Sequence, residues 1–109
     1  MMTGGEALAA QLAIEGVDTV FGIPGLQIYH AVDAIEAHPA LRLISTRHEQ
    51  AAAYMADGYA RVTGDVGVCL VVPGPGMLNT LAALSTAWAT NSRVLLLCGQ
   101  IPTTSYGRG

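Results

Sequence analysis

Lysine is missing from this sequence of 109 residues; its five basic side chains are all arginine. In a chain acting alone, that absence excludes the phosphate-gripping lysine of a P-loop and the Schiff-base lysine of a pyridoxal-phosphate enzyme. Charge of either sign is sparse. Only 12% of residues are charged and the net charge is −3, so there is no basic footprint for nucleic acid. Long apolar runs are lacking too: none exceeds about seven residues, well short of a membrane span. The N-terminal stretch MMTGGEAL has no basic region and no signal-peptide pattern, so a cytoplasmic location is the expectation. Cysteine occurs only as Cys69 and Cys98, each inside an apolar run and without CxxC or CxxH spacing. No metal site is expected from them, and both are expected to be buried in strands as small hydrophobes.

What is present is apolar character in periodic order. Hydrophobic residues make up 51% of the chain, enough for one core-rich globular domain. Thr3 and Glu6 stand at capping-box spacing before a helix that Gly16 stops. A short strand at 18–22 follows, closed by the turn GIPG (22–25). Ile28, Val32 and Ile35 then repeat at helical spacing up to Pro39. A second strand is expected at 41–45, and a helix from His48 to Val62 that Gly64 ends. The continuous apolar stretch VGVCLVV (66–72) is a third strand, followed by the turn PGPG (73–76). One helix over MLNTLAALSTAWAT and a fourth strand at 94–98 complete the pattern.

Helix and strand thus alternate four times, and the strands are continuously apolar. That order predicts an α/β fold, a Rossmann-like three-layer sandwich with a parallel sheet covered on both faces. The fourth strand needs cover that no later helix of the chain supplies. Residues 1–109 are therefore expected to be one domain of a larger protein, either a fragment or one subunit of a split one.

In such sheets ligands sit beyond the carboxyl ends of the strands. Three segments gather there: GIPG, STRHEQ and PGPGMLN. The last gives GxGxxN rather than GxGxxG, and the acid expected about 20 residues on is absent, which argues against a dinucleotide site. It reads either as a tight turn or as a turn presenting helix N–H groups and Asn79 to a ligand. Glu49 also has two readings. Thr46-x-x-Glu49 has capping-box spacing, so the acid could simply satisfy the backbone N–H of Thr46. Alternatively it does chemistry. Arg47 and His48 read as solvated or structural, and Tyr54 and Tyr59 as packing residues.

Four stretches, VDTVFGIPG, RHEQAAAYMADGYARVTG, GVCLVVPGPGMLN and VLLLCGQIP, stand in order from about Thr3 to Pro102. Together they resemble the N-terminal pyrimidine-binding domain of thiamine-diphosphate enzymes. The enzymes resembled are of the acetolactate synthase, benzoylformate decarboxylase and oxalyl-CoA decarboxylase type. The resemblance implies the pyrimidine-binding half of a lyase or transferase, a decarboxylase or carboligase acting on a 2-oxo acid or acyl substrate. In that family the glutamate of RHEQ, here Glu49, bonds N1′ of the aminopyrimidine. It promotes the imino tautomer, which takes the C2 proton of the thiazolium and leaves the reactive ylid. Such an acid is expected to be shielded from water, with its pKa raised by burial. By the same matching, Pro24 and Gly25 line the pyrimidine pocket, and Pro75 and Asn79 contact the ring.

Two departures bear on substrate. Acetolactate synthases usually read PGG where this chain has Pro24-Gly25-Leu26, and Leu26 would crowd the thiazolium. A later glutamine of the family falls beyond Gly109. The diphosphate and Mg²⁺ belong, in the family, to a GDG motif in a separate domain. TGDVG at 63–67 is only a helix-to-strand turn, so the metal is expected to be bound outside this chain. The implied partners are that diphosphate-binding domain, of the same or another chain, and further copies in a homo-dimer or homo-tetramer. Small residues along 51–58 are expected to permit the close packing of that association. The alternative is a non-catalytic structural or regulatory module of the same fold, with an unrelated nucleotide-binding domain a distant third.

Overall fold

The structure is a computed structural model and describes residues 1–108. Helix α1 (Gly4–Ile14) opens on the expected reciprocal cap. The Thr3 hydroxyl accepts from the Glu6 N–H at 3.2 Å while the Glu6 carboxylate accepts from the Thr3 N–H at 2.6 Å. Strand β1 (Thr19–Gly22) is buried throughout. After it come a 3₁₀ turn (Leu26–Ile28), α2 (Tyr29–Ala37) and β2 (Arg42–Ser45). Helix α3 (Glu49–Thr63) ends at Gly64, whose φ of 80° is the left-handed conformation that glycine adopts most readily. Strand β3 (Gly67–Val71) is followed by α4 (Pro75–Asn79), α5 (Leu81–Ala89) and β4 (Val94–Cys98).

The four strands form one parallel sheet in the order β2-β1-β3-β4. Their alternation divides the core into two layers. Val20 of β1 and Val68 and Leu70 of β3 pack with Leu12 of α1 and Ile35 of α2. Phe21, Cys69 and Val71 face the other way, onto Ala52, Ala53 and Ala56 of α3 and Ala83 of α5. Both faces of the central strands are thereby dry, which is why those strands read as unbroken apolar runs. The α/β three-layer architecture is as expected.

Four local expectations are corrected. The alanines of α3 mostly serve the domain itself: Ala52, Ala53, Ala56 and Ala60 are buried. A side chain at Gly67 would overlap the Ala56 carbonyl, so α3 lies almost against the β3 backbone. The single helix expected from Met77 is two, broken at Thr80. That residue is fully buried, and its hydroxyl donates to the Met77 carbonyl at 2.6 Å. Cys69 is buried but Cys98, on the edge strand β4, is exposed. Finally, the cap of α3 is His48, not Thr46: its Nδ1 accepts from the Gln50 N–H at 3.1 Å. Thr46 instead donates its hydroxyl to the His48 carbonyl at 2.9 Å.

Candidate functional site

Chain order and spatial order part company between β1 and β3. From β1 the chain moves outward to β2, then returns past β1 to β3 and continues to β4. Such a reversal leaves a crevice beyond the carboxyl ends of the two central strands, the usual ligand position in an open α/β sheet. The turn after β1 carries Pro24 and Gly25, the turn after β3 runs through Gly74 into Pro75 and Gly76 of α4, and Glu49 starts the helix after β2.

Val72 joins the two turns. A Cβ at Gly25 would overlap its Cγ1, and one at Gly76 would come within 2.6 Å of its Cγ2. Both turns therefore press their bare backbones onto one isopropyl group. The same added Cβ at Gly76 would lie 3.6 Å from Oε1 of Glu49. Gly74 serves a different need. Its φ of 65° with ψ of −120° is a backbone conformation that side-chain-bearing residues avoid, and it turns the chain into α4.

Pro75 is the first residue of α4, where its missing N–H costs nothing. Asn79 follows one turn later on the same face. Its Nδ2 donates to Oε2 of Glu49 at 3.0 Å. The other carboxylate oxygen, Oε1, is the one that faces Gly76.

Glu49 is the first residue of α3, not the third, so it cannot complete a capping box. Its electrostatics also differ from expectation. The Asn79 amide, and then its own backbone N–H, hold the carboxyl below the usual glutamate range; His48 adds a little in the same direction. Desolvation pulls the other way and loses, because the side chain is only half-buried in this chain. Beneath it Cys69, sealed in the core, has its thiol pushed up to about 12, mainly by burial and further by the Glu49 charge.

Among the expected site residues, Glu49 and Asn79 are bonded, and Gly25 shares Val72 with Gly76. Pro75 begins the short helix that carries Asn79. Pro24 is exposed and borders a shallow cavity of about 440 Å³ with Tyr29, Val32, Asp33 and Glu36, on the α2 side of its turn. Val72 and Gly76 were not singled out from the sequence. Gly76 had a signal, as the second glycine of PGPG. Val72 had none, since it reads as the last residue of an apolar strand. Tyr59 is a packing residue as expected, edge-on to Phe21 with its hydroxyl donating to Asp18 at 2.8 Å.

Residues 2–109 match the family described as "Thiamine pyrophosphate enzyme, N-terminal TPP binding domain". The chain belongs to that family. It is 44% identical over 110 residues to the probable 2-ketoarginine decarboxylase AruI of Pseudomonas aeruginosa, covering 99% of this chain and 19% of that protein. It is 43% identical over 106 residues to the probable acetolactate synthase large subunit of Methanocaldococcus jannaschii, covering 97% of this chain and 18% of that one. The isozyme 3 large subunit of acetolactate synthase from Escherichia coli is 40% identical over 107 residues, covering 98% and 19%. The chain thus spans about a fifth of the length of these relatives.

The residues at the crevice offer apolar and acceptor groups of the kind thiamine pyrophosphate (thiamine diphosphate) would need. Two glycines let the turns close onto Val72, which offers an apolar wall, and one Glu49 carboxylate oxygen lies beside Gly76. Among the described residues, no three of His, Cys, Asp and Glu are grouped as a metal ion would need. No described helix is long and apolar enough to cross a membrane.

Proposed function

We propose that residues 1–109 form the aminopyrimidine half of a thiamine-diphosphate site in a larger cytoplasmic enzyme, with Glu49 as its proton-handling carboxyl. The observation that carries this reading is the placement of Glu49 Oε1 beside Gly76 at the switch-point crevice, with Oε2 already engaged by Asn79.

Each residue has a separable task. Glu49 presents a rigid oxygen from the first turn of α3, where it can accept a hydrogen bond from a ring N–H or share a proton with a ring nitrogen. Gly25 and Gly76 let the two turns close onto Val72, whose isopropyl group supplies an apolar surface between them. Pro24 and Pro75 stiffen the segments that carry these glycines. When bound, thiamine diphosphate supplies the electron sink that a 2-oxo acid needs in order to lose carbon dioxide.

The diphosphate and Mg²⁺ fall to another domain, of this or a second chain, because a metal and a doubly charged group want carboxylates and donors in clusters. Exposed apolar surface on α4 and α5 supports a covering partner: Leu78 is 59% exposed, Leu81 44% and Trp88 88%. A homo-dimer or homo-tetramer is the proposed assembly. The names of the relatives support decarboxylation of a 2-oxo acid, with or without carboligation. Leu26, 75% exposed next to Gly25, is the residue expected to distinguish this site from a synthase reading PGG.

The test is an assay of the full-length protein with thiamine diphosphate, Mg²⁺ and a panel of 2-oxo acids. Carbon dioxide release that requires both additions is expected. Absence of cofactor binding by calorimetry would leave only a non-catalytic module of this fold.

A further inference from the structure

Asn79 is expected to contact the cofactor ring, and its geometry ties it to Glu49 as well. Its amide nitrogen donates to Oε2 of Glu49 at 3.0 Å. An amide N–H directed at an oxygen holds that oxygen as an acceptor, because a proton on it would face the donor. The remaining oxygen, Oε1, lies on the Gly76 side, 3.6 Å from where a Cβ at that residue would stand. We propose that Asn79 is a positioning residue that locks Oε2 of Glu49 as an acceptor and confines the carboxyl's proton exchange to Oε1. This inference rests on the proposed role of Glu49.

The local structure is built for such a restraint. Helix α4 has only five residues, begun by Pro75 and ended by the buried Thr80. The Thr80 hydroxyl returns to the Met77 carbonyl, and α5 starts afresh at Leu81. A helix running straight through would carry Asn79 along the α5 axis. The break instead makes α4 a short arm anchored at both ends, and its last residue reaches across to α3. The carboxylate starts from the first residue of α3 and is held from α4 by the Asn79 amide.

A carboxylate free to rotate would present either oxygen and leave the proton distributed between them. With Oε2 fixed, the hydrogen bond to a ring nitrogen has one direction, and the angular requirement for proton transfer is met before the ligand arrives. The titratable groups around Glu49 are His48, its neighbour along the chain, and Cys69 beneath it on β3. Neither supplies the donor that Asn79 does.

The experiment is a carboxyl ¹³C NMR titration of Glu49 in the full-length protein without cofactor, comparing wild type, Asn79→Ala and Asn79→Asp. Loss of the amide donor is expected to move the Glu49 midpoint upward in Asn79→Ala. A second carboxylate is expected to move it further in Asn79→Asp. With cofactor added, C2-proton exchange is expected to slow by about tenfold to a hundredfold in Asn79→Ala, with its pH profile displaced in the same direction. An unchanged Glu49 midpoint accompanied by weakened cofactor affinity would overturn the proposal and make Asn79 a direct ligand contact alone. If Asn79→Ala does not fold, Asn79→Ser, whose shorter hydroxyl cannot span the gap, replaces it. Should the Glu49 midpoint move while exchange stays normal in Glu49→Gln, the positioning geometry stands and the catalytic role of Glu49 falls.

Discussion

His48 and Gln50 settle how α3 begins: the His48 ring nitrogen accepts the Gln50 N–H at 3.1 Å, one of the helix's unpaired donors. Glu49 lies between them in sequence and is released from any capping duty. Replacing His48 with Ala is therefore expected to lower stability by about 1 kcal/mol, the ordinary value of a lost cap. A thermal melt of the variant checks this, and a melt equal to wild type would return the cap to another residue.

The two glycines of the PGPG turn are expected to respond differently to alanine. At Gly74 an added Cβ meets nothing within 4 Å, but φ is 65°, so Gly74→Ala should lose roughly 1–3 kcal/mol of stability. At Gly76 the backbone is ordinary, but the new methyl would sit 2.6 Å from Val72 Cγ2 and in contact with Glu49 Oε1. Gly76→Ala is expected to weaken thiamine-diphosphate binding about tenfold or more in the full-length protein, an overpacking cost of 1–3 kcal/mol being typical. Calorimetric titration beside a melt separates the two effects. Equal binding by Gly76→Ala and wild type would remove Gly76 from the site.

Acid lability should draw on two aspartates remote from the crevice, in addition to Glu6 and Glu49, whose carboxyls are also held low. Arg61 bonds buried Asp57 at 2.8 Å and holds its carboxyl below the usual range, with help from Ser92. Thr19 first, then Tyr59, hold Asp18 down in the same way. A pKa depressed by folding stabilises fully above the unfolded value, near 4, and that contribution fades as pH falls through the folded value. Melting temperature is therefore expected to fall below about pH 4. Asp57→Asn should cost about 1–2 kcal/mol near neutrality, discounted because the Arg61 side chain is 43% exposed. It should also flatten the acid limb. A variant whose acid profile superimposes on wild type would place the lability elsewhere.

The sheet was legible because Val68 to Val71 are apolar on both faces, and only a doubly covered parallel strand needs that. The reciprocal cap of α1 was legible for a similar reason: Thr3 and Glu6 interact within one turn. Long-range facts were not. The break at Thr80 depends on burial and on a hydroxyl bond that helical periodicity does not encode. Thr46-x-x-Glu49 matched a local motif, but His48 took the cap and the acid turned to a residue 30 positions away. The alanine stripe marked a close contact correctly, while its partner is largely the sheet of the same domain. Cys98 sits in a run as apolar as that around Cys69, yet β4 is an edge strand and leaves it exposed.

Glu49 is proposed to handle a proton for the cofactor, and exchange of the thiazolium C2 proton for deuterium in Glu49→Gln reads that role directly. Glutamine keeps the shape and can still accept from Asn79, but it cannot share or release a proton as a carboxyl does. Exchange in the full-length protein is expected to slow by roughly 10²–10⁴-fold, while stability changes by less than about 1 kcal/mol. Near-normal exchange with glutamine at position 49 would contradict the account and leave the crevice without its acid.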